Sequence, residues 1–233
     1  MTERVQPHVW KRNVRIFGGV TVLVGMTILV SVGIIRVFTI RQVIVDAPGM
    51  TVTLEKTKFG NNLLFVSTNE LRGELLATYP LLADVRFEKK IPSTLIVHLV
   101  RRQTFALLST SGNTYAVDAY GFVLDAAENS VGYPVLRFDT GILSVGTRMT
   151  DRRVMSALSF LRALDNREEI RSIQERDGAS LQAVMGNTNI FLPQSEELSA
   201  KAATLQTIID GFRIKGTLPT VIDLRHEKPI ITN

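Results

Sequence analysis

The sequence predicts an α+β protein: a single N-terminal transmembrane helix, a small α+β domain, then a strand-rich α+β domain with two helices. Three observations carry this. Residues 16–35 are uncharged and apolar. Residues 40–100 read as strand, helices, strand, strand. Residues 114–225 hold short strands separated by turn residues and interrupted by two amphipathic helices. A length of 233 residues leaves room for one or two compact domains, at about 150 residues each. The expected organisation is a cytoplasmic basic tail (1–15), the membrane helix (16–35), the small domain (36–108) and the strand-rich domain (109–233).

The tail and helix set the topology. Residues 1–15 hold Arg4, Lys11, Arg12 and Arg15 against Glu3 alone, three of the five net positive charges. The high pI of 9.7 is therefore concentrated in a short tail. Such a tail fits membrane topology and anionic lipid better than nucleic acid. Ile16 to Ile35 reads IFGGVTVLVGMTILVSVGII. Some 20 helical residues span about 30 Å, the thickness of a bilayer core. A cleaved signal peptide would have a shorter apolar region, about 7–15 residues, followed by a small-x-small site. Ser31-Val32-Gly33, the nearest such site, lies inside the run. Arg36 and Arg41 are the only basic residues between the helix and Lys56. The positive-inside bias then leaves the N-terminus in the cytoplasm and the C-terminal domains outside it.

The elements follow in order. Ile40–Val45 has strand composition and Asp46-Ala47-Pro48-Gly49 reads as a turn. Residues 51–60 are ambiguous, readable as one weak helix. Ser67-Thr68-Asn69-Glu70 has the capping-box pattern; Leu71, Leu75, Leu76 and Tyr79 follow at helical spacing until Pro80. Val85–Glu88 and Thr94–Val100 read as strands around a turn. Thr114–Val117 and Phe122–Leu124 flank a hairpin loop, Asp118–Gly121, and Val135–Phe138 is another short strand. A helix is expected from 151 to 165, with Val154, Leu158, Leu161 and Leu164 on one face. Strands near 170–175, 181–185 and 189–192 precede a helix that starts with Ser195 as N-cap. Its stripe is Leu198, Ala202, Leu205, Ile209 and Phe212, and Gly216 stops it. Thr220–Arg225 reads as a last strand.

These segments resemble the bacterial cell-division family FtsQ/DivIB. Phe38–Val45 is similar to the first strand of the family's POTRA domain, and Asn62–Val66 to the entry of its second helix. Tyr79–Phe87 resembles its "l-P-x-V-x-x-A-x-V" segment, and Ile91–Val97 its "x-P-x-T-L-x-I". Val117–Val123 resembles the "V-D-x-x-G-x-v" hairpin, and Val221–Arg225 the terminal "i-D-L-R". The resemblance runs from residue 10 to about 228. It departs at Arg101–Ala106, which lacks the family's Glu and Pro, and at His226, where an aromatic is usual.

The resemblance implies a POTRA-like first domain and an FtsQ/DivIB-type β domain. It implies a noncatalytic, membrane-anchored scaffold of the divisome at the septum, linking early and late division proteins by binding FtsB/FtsL-type bitopic partners. Strand addition would be the physical mode: an exposed terminal strand offers unpaired amides and carbonyls to an incoming segment. The residues implied are Val221, Ile222, Asp223, Leu224, Arg225, His226 and Glu227. The alternative function is a POTRA-bearing component of a protein export or secretion system.

Enzyme chemistry finds little support in the residues. There is no cysteine, and the three histidines, His8, His98 and His226, are far apart. Gly211–Gly216 lacks the Gly-Lys-Ser/Thr ending of a phosphate loop. Ser199-Ala200-Lys201 misses the Ser-x-x-Lys spacing. Asp118 reads as a turn residue, Glu168-Glu169 as a solvated pair, and His98 as a half-exposed strand residue. No cofactor, metal, small-molecule substrate or nucleic acid is expected. Lys89-Lys90 and Arg101-Arg102 read either as edge-strand charges that oppose aggregation or as a docking surface for an acidic partner.

Overall fold

The computed structural model describes residues 7–48, 59–127, 132–195, 198–214 and 216–232. Contacts divide the chain into two compact units, Met1–Leu75 with Asp84–Val100, and Leu76–Ala83 with Arg101–Asn233.

The first unit begins with a helix, α1, over Pro7–Val37, longer than the apolar run that predicted it. Among the described residues it is the one helix long and apolar enough to cross a membrane, over Val20–Val37. Its side chains from Val20 to Val37 are all exposed. Strand β1 (Gln42–Asp46) pairs in parallel with β3 (Thr94–Arg101), and β2 (Leu82–Lys90) completes a three-stranded sheet ordered β1-β3-β2. On β3, Leu95, Val97 and Leu99 alternate inward and are buried, the period-two signature of a sheet with one face on a core. Leu71 and Leu75 of helix α2 (Thr68–Thr78) are also buried. The weak helix considered for 51–60 falls mostly outside the described residues; Phe59, which is described, packs edge-on against Phe87.

The second unit is a nine-stranded sheet carrying two helices. Its strands are β4 (Ala106–Thr110), β5 (Asn113–Val117), β6 (Val123–Ala126) and β7 (Val135–Arg137). They continue as β8 (Ile170–Glu175), β9 (Ser180–Met185), β10 (Thr188–Pro193), β11 (Val221–Asp223) and β12 (Ile230–Thr232). Their order in space is β12-β11-β10-β9-β8-β7-β4-β5-β6. Helix α3 (Arg152–Arg162) is capped by Asp151, whose side chain accepts from the Arg153 amide. Val154, Ala157, Leu158 and Leu161 of α3 share one core with Ala202, Leu205 and Ile209 of α4 (Ser199–Ile214) and the inward residues of the strands.

Two expectations differ from the observed elements. Residues 106–110, set across the expected boundary at 108/109, form a strand of the second sheet. Ser111 and Gly112 connect β4 to β5 with φ of 37° and 89°. Two positive φ values in a two-residue loop match strand twist, so Ser-Gly here is a hairpin turn. Helix α4 starts at Ser199 instead of after Ser195. Leu198 takes the cap position, its carbonyl accepting from the Ala202 amide while its side chain is buried in the core.

Candidate functional site

The "V-D-x-x-G" hairpin is explained by its own hydrogen bonds. Asp118 Oδ1 accepts from the amides of Tyr120 and Phe122, and Asp118 Oδ2 accepts from Arg102 at 2.7 Å. Gly121 has φ of 83°, and a Cβ there would stand 3.1 Å from the Met155 sulfur. Asp118 is thus a turn residue with a buried ion pair. Arg102 also donates to the Pro80 carbonyl and lies 3.5 Å from the centre of the Phe122 ring. Of the two basic pairs considered for docking, Arg102 is therefore committed inward, while Arg101, Lys89 and Lys90 remain at the surface.

The terminal strand was expected to be a sheet edge, and here the structure corrects the sequence reading. Strand β11 pairs in parallel with β10 on one side, Ile190 opposite Ile222, and antiparallel with β12 on the other, Ile222 opposite Ile231. Both hydrogen-bonding sides of Val221–Asp223 are occupied by the chain itself. The outermost strand is Ile230–Thr232. Its described residues are all exposed, Ile230 by 56% and Ile231 by 40%. The sequence signal was present: a β-branched run, Ile230-Ile231-Thr232, directly after Pro229.

The expected site residues divide by role. Ile222 and Leu224 are fully buried in the core, and Val221 is half-buried. Asp223 and Arg225 bind each other. Arg225 donates its backbone amide and Nε to Asp223 Oδ1 at 3.0 Å, and its Nη2 to Asp223 Oδ2 at 2.7 Å. The guanidinium also reaches Asp177 at 3.4 Å and lies over the Phe191 ring. It holds the Asp223 carboxyl below the usual carboxylate range. The Ser180 hydroxyl does the same to Asp177, with Arg225 adding to the effect. Arg225 is thereby a clamp across strands, and the "D-L-R" pattern is legible as that clamp around a buried leucine. Beyond it, His226 and Glu227 are exposed, and Lys201 of α4 donates to the His226 carbonyl.

Among the described residues, no group of three or more His, Asp or Glu is arranged to hold a metal ion. His98 lies between Asp46 and Glu88, its Nδ1 at 3.0 Å from the former and its Nε2 at 3.5 Å from the latter.

The chain was compared with known proteins. It is 21% identical over 151 residues to the cell division protein DivIB of Clostridium tetani, a match covering 60% of this chain and 56% of that protein. The family profile described as "Cell division protein FtsQ/DivIB, C-terminal" matches residues 106–225, from the first residue of β4 to the last of the Asp223–Arg225 clamp. That profile takes in more than half of the chain, which belongs to the FtsQ/DivIB family of cell division proteins.

Proposed function

We propose that this protein is a noncatalytic, single-pass scaffold of the divisome, with its N-terminus in the cytoplasm and both folded units outside, concentrated at the division septum. It binds FtsB/FtsL-type bitopic division proteins and so links early to late components. The small α+β unit is its POTRA-like domain and the nine-stranded unit its FtsQ/DivIB-type domain. Capture proceeds by strand addition, with the docking edge one strand further out than Val221–Glu227. The incoming segment pairs with Ile230–Thr232, while β11 and the Asp223–Arg225 clamp hold that strand in register.

One observation carries this reading. Among the described residues, the sheet ends on a three-residue strand whose side chains are exposed and whose outer backbone groups face no further strand of the sheet. Such an edge pairs with extended peptide, the backbone supplying affinity and side-chain pockets the selectivity. Two isoleucines at this edge add apolar area for a partner to cover.

The experiment is co-purification of the full-length protein with small bitopic division proteins from the same cell. The Ile230→Asp/Ile231→Asp variant should lose them. Undiminished capture by a folded variant would place the contact elsewhere.

A further inference from the structure

The first unit carries a second exposed apolar surface, at the opposite end of the sheet from the His98 cluster. Phe65 is 76% exposed, Ile91 72% and Leu64 48%. Large side chains so open on two separate loops ask for a covering surface.

Both loops are tied to the chain as it leaves α1. Asn62 Nδ2 donates to the Ile35 carbonyl at 2.9 Å, and the Leu63 amide donates to the Phe38 carbonyl at 2.8 Å. The Ile40 amide donates to the Asn61 carbonyl. Asn62 also accepts from the Leu64 amide at 2.9 Å, which fixes the turn that turns Leu64 and Phe65 outward. Leu63, between them and Asn62, is buried and anchors the loop. On the second loop, the Arg41 amide donates to the Ser93 carbonyl at 2.9 Å, two residues from Ile91. Lys89 joins the two loops by donating to the Val66 carbonyl at 3.2 Å. Register points the same way: Gln42 pairs with Thr94 at this end of the sheet, whereas Asp46 pairs with His98 at the other.

Arg36, Arg41, Lys89 and Lys90 are exposed around these residues. Glu70 and Glu74 border the groove beside Phe65. Exposed aromatic and aliphatic side chains on two loops, both fixed to the exit of an apolar helix and accompanied by exposed cations, have the chemistry of a membrane–water interface. Aromatic rings settle at headgroup level, and Lys and Arg reach the phosphates with their stems along the apolar layer.

We infer that the loops carrying Leu64, Phe65 and Ile91 rest in the leaflet at the C-terminal end of α1, seating the first unit on the bilayer. This rests on the reading that α1 spans the membrane. The seat restrains the unit relative to the lipid surface, since two loops hold it there in addition to the tether.

The test uses the full-length protein in vesicles of phosphatidylethanolamine and phosphatidylglycerol. The chain has one tryptophan, Trp10, which is removed as Trp10→Phe. Into that background go Phe65→Trp, Ile91→Trp and, as a reference further along β2, Arg86→Trp. Vesicle flotation after a carbonate wash reports anchoring separately, and circular dichroism reports folding. Lipids brominated near the headgroup should quench the indoles at positions 65 and 91 several-fold more than the one at position 86, with blue-shifted emission at both. A protein that does not float would remove the premise about α1 and, with it, the seat. A floating, folded protein whose indoles at 65 and 91 are quenched no more than that at 86 would overturn the seat itself and leave this face to a protein partner.

Discussion

Ile222 and Ile231 stand opposite each other across the β11–β12 ladder, one fully buried and the other 40% exposed. The pair marks where the core ends: inside it Ile222 contacts the sheet and helices, outside it Ile231 is the last side chain before solvent. Substitution should separate the two. Ile222→Ala should cost about 2–5 kcal/mol of stability, as other large-to-small core changes do. Ile231→Ser should shift stability by less than about 0.5 kcal/mol yet cost about 2 kcal/mol or more of partner binding. Thermal melts and binding isotherms on the same variants check both.

Arg225→Glu should destabilise the second unit and lower its melting temperature. The change places a third carboxylate beside Asp223 and Asp177 and removes their shared guanidinium. Arg225→Lys should fall between parent and Arg225→Glu, since a lysine keeps the charge without the forked geometry. A melt of Arg225→Glu that matches the parent would contradict the clamp.

Arg102→Ala should be among the costliest surface-to-interior changes in the molecule. The Arg102 and Asp118 side chains are only 13% and 6% exposed, and the variant leaves Asp118 buried without its cation. Breaking such a pair costs about 3–5 kcal/mol. The double variant Arg102→Met/Asp118→Asn should recover part of that loss, measured by denaturant unfolding.

The first unit should be more stable below neutral pH than above it. The Asp46 carboxylate first, and then Glu88, raise the His98 pKa above its ordinary value near 6.5. A raised folded-state pKa means that the contribution is fully present below the unfolded value and is lost as pH climbs through the folded one. Melting temperatures taken from pH 6 to pH 8.5 should fall, and His98→Ala should flatten that slope.

Much of this fold was legible because hydrophobic period and turn chemistry agreed. Residues 170–175 were expected as a strand and are β8. Ser67 starts α2 as its capping pattern indicated, its carbonyl accepting from the Leu71 amide. Ala106–Thr110 was missed because its apolar residues are buried on both faces, which gives no alternation. Helix α4 was expected to follow Ser195 and is seen from Ser199, with Glu196 and Glu197 outside the described residues. The last core strand was expected over Thr220–Arg225 and is Val221–Asp223, yet sequence order alone could not reveal that β12 folds back to cover it. Strand partners are long-range facts.

The most direct test of strand addition at the sheet edge is amide hydrogen exchange on the full-length protein in nanodiscs, with and without the exported segment of a bitopic partner. The amides of Val221–Asp223 should already be protected and stay so, while those of Ile230–Thr232 gain protection on binding. Unchanged exchange at Ile230–Thr232 in a saturated complex, with new protection at Lys89–Arg101, would contradict this account.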